Sequence, residues 1–124
     1  MKKILILVVD DDQTLVDFLV AALKASGYEV AFAYGGQAGL EKAREAKPDL
    51  LILDLLMPDM HGFDVCQALR GDEDLSKMKI LISSAKAYDV DKRAAERLGA
   101  DGYMAKPYTA DALIANVKKL VGDP

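Results

Sequence analysis

Cysteine is almost missing from this chain of 124 residues. The only one, Cys66, cannot close an internal disulfide, which fits a reducing cytoplasm. Set in a helical pattern, it reads as a small core hydrophobe rather than a nucleophile. Histidine is equally scarce. His61 stands alone in a stretch rich in proline and glycine, and without a Cys or His partner it makes a poor transition-metal ligand. An excess of positive charge is missing too: 16 Lys and Arg face 20 Asp and Glu, a net charge of −4. That argues against non-specific nucleic-acid binding by this chain. Long hydrophobic runs are absent. The first apolar run, residues 4–9, stops at Asp10-Asp11-Asp12 with no small-residue cleavage site, which argues against a secretory leader. It is also far too short to span a bilayer. Repeats, linkers and low-complexity segments are not found, so one domain over residues 1–124 is expected.

What is present alternates. Residues 4–9 form a continuous run rich in branched side chains, as expected of a strand covered on both faces. Asp12 or a neighbour can cap the helix that follows, in which Leu15, Phe18, Leu19, Ala22 and Leu23 recur at helical spacing until Gly27. A second strand is expected over 28–34 and a second helix over 37–46, broken by Pro48-Asp49. A third strand, 50–53, ends at Asp54, and the Pro and Gly content of residues 57–62 makes them a loop. A helix is expected over 63–69, a polar loop over 71–74, a fourth strand over 79–83 and a fourth helix over 90–98, stopped by Gly99. A short strand over 101–105 and a helix capped by Thr109 complete the chain. Residues 122–124 read as a frayed end. Five strands alternating with five helices imply an α/β fold. Its sheet is five-stranded, parallel and doubly wound, with right-handed crossovers and helices on two faces.

In such a sheet the strands all end at one edge, and ligands bind there. Strand one delivers Asp10, Asp11 and Asp12 to that edge, strand three Asp54, strand four Ser83 and Ser84, and strand five Lys106. A carboxylate cluster repels itself unless a cation neutralises it. Oxygen ligands with room for water favour Mg²⁺. Lys106 adds a point charge for a further anion, and a central carboxylate can itself accept a group. Together these are the parts of a phosphoryl-transfer site. Taken singly, each residue has a plainer reading: helix-capping acids, a turn aspartate, a satisfied hydroxyl, a solvated lysine. The joint arrangement favours the site.

The chain resembles the receiver domains of two-component response regulators. The matching pieces are Val8-Val9-Asp10-Asp11, Leu53-Asp54 followed by Met57-Pro58 and Gly62, Ser84-Ala85, and Lys106-Pro107. The resemblance covers essentially the whole chain. It implies the strand order 2-1-3-4-5, which is the flavodoxin-like order of the chemotaxis receiver. It implies that Asp54 is the phosphoacceptor, and that Asp10, Asp11, Asp54 and the backbone carbonyl of Leu56 hold Mg²⁺, Asp11 most directly. It also makes Ser84 the switch hydroxyl, Lys106 the lysine that bonds a phosphoryl oxygen, Tyr103 the aromatic switch residue and Lys106-Pro107 a cis bond. Leu56 and Lys86 match the positions that tune phosphoryl lifetime.

The implied function is phosphorylation-dependent signalling rather than enzymatic turnover. A sensor histidine kinase, a phosphotransfer protein or a small phosphodonor would supply the group. The surface of the fourth helix, fifth strand and fifth helix would switch toward an output partner that the sequence does not name. A cytoplasmic protein is implied, with no membrane and no direct nucleic-acid contact. Gly102, Ala112 and Asn116 stand where DNA-binding members carry dimer-forming charges, which weakens that dimer mode. No effector domain follows Pro124, so the sequence reads as a stand-alone receiver or a piece of a longer regulator.

Three rival readings fare worse. Asp10-Asp11-Asp12-Gln13-Thr14 fits the nucleophile motif of haloacid-dehalogenase-type phosphatases, with Ser83 or Ser84 and Lys106 as further motifs. That family needs another acidic pair after the lysine, and only Asp111 and Asp123 remain. A receiver-like scaffold that is never phosphorylated would not need the full set of residues. A flavin-binding relative would carry a hydroxyl-rich phosphate loop where this chain has acids.

Overall fold

The computed structural model describes residues 3–85 and 89–124. Among them, β1 (Leu5–Val9), β2 (Glu29–Ala33), β3 (Leu50–Asp54), β4 (Lys79–Ser84) and β5 (Gly102–Ala105) alternate with five α-helices. The helices are α1 (Gln13–Ala25), α2 (Gly36–Ala46), α3 (Gly62–Arg70), α4 (Asp89–Arg97) and α5 (Ala110–Val121). The strands form one parallel sheet in the order β2-β1-β3-β4-β5. Class, order and element count agree with the sequence reading. The expected polar loop over 71–74 instead leads into a 3₁₀ turn at Glu73–Leu75, capped by Asp72 and anchored by buried Leu75.

Side-chain alternation along the strands divides the interior into two layers. On one side Ile6, Val8, Leu50, Ile52 and Leu81 pack with Val16, Leu19 and Leu23 of α1 and Leu113 and Val117 of α5. On the other, Leu7, Val9, Leu51, Leu53, Ile80 and Ile82 pack with α2, α3 and Ala95 of α4. The central strands are buried on both faces, which explains why they read as unbroken apolar runs.

Local chemistry sets the ends. Asp12 caps α1 by accepting the Leu15 N–H at 3.1 Å, and Thr109 caps α5 through the Ala112 N–H at 3.1 Å. Gly27 (φ 104°) and Gly99 (φ 97°) adopt the left-handed conformation that closes α1 and α4. Residues 122–124, expected as a frayed end, lie exposed beyond α5 with two contacts back to the fold. The Tyr28 hydroxyl donates to the Gly122 carbonyl at 2.7 Å, and Lys118 pairs with Asp123 at 3.6 Å. No helix among the described residues is long and apolar enough to cross a membrane.

Candidate functional site

The carboxyl-terminal edge of the sheet collects the residues that the sequence nominated. Asp10 follows β1 and is buried, and Asp54 closes β3 and is buried; Asp11 beside them is exposed. One carboxylate oxygen from each of the three lies within 4.8 Å of the others. The Lys106 ammonium donates to Asp10 Oδ2 at 2.8 Å and to Asp54 Oδ1 at 3.2 Å. Asp10 Oδ1 accepts the Asp12 N–H at 3.0 Å, so both Asp10 oxygens are engaged and the turn after β1 is held in shape.

The electrostatics follow from this crowding. Burial raises the Asp54 carboxyl above its usual pKa and Asp10 pushes it further, while Lys106 pulls it back only in part. Burial pulls the Lys106 ammonium down, but the hydrogen bond it donates to Asp10 and the charges of Asp54 and Asp10 together leave it raised. Three carboxylates and one ammonium leave a net charge of −2. A divalent cation cancels that charge, and the donors are all oxygens, as a hard ion prefers. These residues therefore fit Mg²⁺, and the same edge can hold an anion at Lys106.

Ser84 ends β4 fully buried, and its carbonyl accepts the Lys106 N–H at 2.7 Å. The Lys106-Pro107 bond is cis, as the resemblance implied. Tyr103 lies in β5 opposite Ile82, half-buried against the layer of α3 and α4. Leu56, past the end of β3, exposes half of its surface. Lys86 lies outside the described residues.

Sequence reasoning gave no role to three neighbours of the site. Tyr108 packs its ring on the α1–α5 layer and shares a 2.9 Å hydrogen bond with Ser83 Oγ. Burial raises its phenol pKa, while the Ser83 bond and Lys106 lower it. Asp59 reaches from the loop after β3 to accept the Gly36 and Gln37 N–H groups, each at 3.0 Å, at the start of α2. His61, read as loop surface, accepts the Phe63 N–H through Nδ1 at 3.0 Å and caps α3. Cys66 is a buried core residue as expected, its thiol raised by burial and donating to the Leu98 carbonyl at 3.3 Å.

This fold, with an acidic cluster, a hydroxyl and a lysine on one edge, is that of a receiver. Residues 6–118 match the response regulator receiver domain, and the chain belongs to that family. Its members act in phosphorylation-dependent two-component signalling. The chain is 40% identical over 116 residues to the alkaline phosphatase synthesis transcriptional regulatory protein PhoP of Bacillus subtilis (strain 168), covering 94% of this chain and 48% of PhoP. It is 41% identical over 113 residues to the DNA-binding response regulator MtrA of Mycolicibacterium smegmatis, covering 91% of this chain and 48% of MtrA. The chain thus spans about half the length of these curated relatives. Among solved structures it resembles chemotaxis protein CheY4 of Vibrio cholerae, with a TM-score of 0.93 at 28% identity over 97% of this chain and 100% of that one. A CheY-like receiver domain protein from Methanospirillum hungatei JF-1 gives 0.89 at 28% identity, covering 95% of this chain and 93% of that one.

Proposed function

We propose that residues 1–124 form one receiver domain and that Asp54 accepts its phosphoryl group. In this reading Asp10, Asp11, Asp54 and the backbone carbonyl of Leu56 hold Mg²⁺. The observation that carries it is the Lys106 ammonium, held at once by Asp10 at 2.8 Å and by Asp54 at 3.2 Å beside the exposed Asp11. With both Asp10 oxygens engaged within the protein, Asp11 is the more direct ligand. The bound ion would supply neutralisation of the charge gathered on the phosphoryl oxygens.

The protein's own groups do the rest. An Asp54 oxygen attacks phosphorus in line, and the bond from phosphorus to the donor breaks with its electron pair leaving on the donor. The donor is a phosphohistidine of a sensor histidine kinase or phosphotransfer protein, or a small acyl phosphate. Lys106, already against Asp54, moves to a phosphoryl oxygen and keeps its charge partnered. Ser84 donates its hydroxyl to another phosphoryl oxygen, and Tyr103 turns inward behind it. The surface of α4, β5 and α5 changes as a result, a local charge event biasing a two-state element. The chain then acts as a signalling module and not as a turnover enzyme. It works in the cytoplasm, without membrane or direct nucleic-acid contact, and passes the signal to an output partner.

Intact mass spectrometry with acetyl phosphate and Mg²⁺ tests the assignment. The wild type is expected to gain one phosphoryl group, about 80 Da. The gain should vanish in Asp54→Asn and without Mg²⁺. A gain that survives in Asp54→Asn would name another acceptor. No gain in a folded wild type would favour a partner-binding scaffold.

A further inference from the structure

Ser83 and Ser84 are consecutive, so strand alternation sends their side chains to opposite faces of the sheet. Ser84 has the parity of Ile80 and Ile82 and falls on the α3–α4 side. Ser83 has the parity of Leu81 and falls on the α1–α5 side. In the sheet Ser83 is paired with Asp54 on one hand and with Met104 on the other. A buried hydroxyl therefore lies next to the Asp54 strand position on the layer away from Ser84, and Tyr108 satisfies it at 2.9 Å. Tyr108 is two residues beyond Lys106. The chain from 106 to 108 is thus fixed to β4 twice, by the Lys106 N–H on the Ser84 carbonyl and by the Tyr108 hydroxyl on Ser83.

We infer that Tyr108 is a positioning residue for phosphoryl acceptance, its hydroxyl bond to Ser83 holding the Lys106 ammonium in place between Asp10 and Asp54. Lys106 is long, flexible and only partly buried, so its own packing does not define where the ammonium sits. The ring of Tyr108 anchors the loop against the α1–α5 layer, and the hydroxyl fixes its register along β4. Loss of the hydroxyl leaves the ring packed but frees the loop to shift. Small shifts at a reacting centre cost rate steeply, about a hundredfold for an ångström. The inference rests on Asp54 being the acceptor.

The test measures the rate of phosphoryl gain from acetyl phosphate at saturating Mg²⁺, with thermal melts of every variant. Tyr108→Phe is expected to be slower by about tenfold, a fraction of an ångström on that scale. Ser83→Ala should be slowed alike. The double variant Ser83→Ala/Tyr108→Phe should regain melting temperature, because no buried hydroxyl is left unpaired, and should remain slow. In a Lys106→Ala background, Tyr108→Phe should cause no further slowing, since the group it positions is gone. Wild-type rate in folded Tyr108→Phe overturns the inference. So does slowing that persists undiminished without Lys106, or a double variant that regains rate along with stability. Failure of the wild type to gain any phosphoryl group would instead sink the Asp54 reading, and this inference with it.

Discussion

Gly62 shows how closely the backbone is packed behind Asp54. A Cβ there would overlap the Asp54 carbonyl oxygen and come within 2.8 Å of Leu55 Cα, while the Gly62 N–H donates to the Leu55 carbonyl at 2.8 Å. The obstacle is backbone, which cannot swing aside. Gly62→Ala is therefore expected to destabilise by about 2 kcal/mol, as overpacking does, and to slow phosphoryl gain by displacing Asp54. Urea unfolding and the mass assay check the two halves. The sequence marked Gly62 only as a loop former and a motif member, because the contact that demands glycine joins residues 54 and 62 in space. The cap that His61 supplies from its loop was missed for a related reason. Capping preferences favour Ser, Thr, Asp and Asn, so a histidine cap is not anticipated.

Helix α2 begins without a cap of its own, since Gly35 has no side chain to offer. Asp59 does that work from the loop after β3, and the Gln37 N–H, then the Gly36 N–H, hold its carboxyl below the usual carboxylate range. A depressed carboxyl stabilises the fold above its unfolded pKa, and that contribution is lost as pH falls through the lower folded value. Urea midpoints should therefore fall less on acidification in Asp59→Asn than in the wild type. At the far end of α3, Arg70 donates to the Gly99 carbonyl at 2.9 Å, the Met78 carbonyl and Asp101 at 2.8 Å. Asp101 in turn accepts the Ile80 N–H at 2.8 Å. A lysine cannot reproduce this fork. Arg70→Lys should cost about 2 kcal/mol in chemical denaturation with little change in phosphoryl gain. Neither joint was visible in the sequence, since Asp59 reaches Gly36 and Arg70 reaches Asp101 across more than twenty positions.

At the scale of the whole molecule, three acids and one lysine gather a formal charge of −2 at one edge of the sheet. A divalent ion that binds there, and not to the unfolded chain, adds stability by mass action. At a hundredfold excess over its Kd the gain is about 2.7 kcal/mol. Mg²⁺ should thus raise the melting temperature of the wild type, and chelation should reverse it. The rise should shrink in Asp11→Asn, which removes a proposed ligand without disturbing the Lys106 bridge. The architecture was legible because strands buried on both faces and one-sided helices have different apolar periods. Boundaries drifted by a residue or so, as at α4, since helix ends carry less apolar pattern than helix middles. The acidic cluster, Ser83, Ser84 and Lys106 were legible as a group because a parallel sheet gathers every strand end at one edge, whereas Leu56 and Tyr103 came only from the family resemblance. Tyr108 was given no role because nothing in the sequence joins it to Ser83, and only the fold shows that the two hydroxyls meet.

The two serines that close β4 carry a last consequence. A strand slipped by one position would still offer Ile80, Leu81 and Ile82 to apolar surroundings, so the interior would tolerate the error better than the edge. The hydroxyls would not be forgiven, since each would then face the wrong layer. On the proposed acceptor assignment, chemical competence at Asp54 is in this sense a checksum on alignment. Phosphoryl gain measured beside helical content and compactness would then report the register of β4, which those two readings do not.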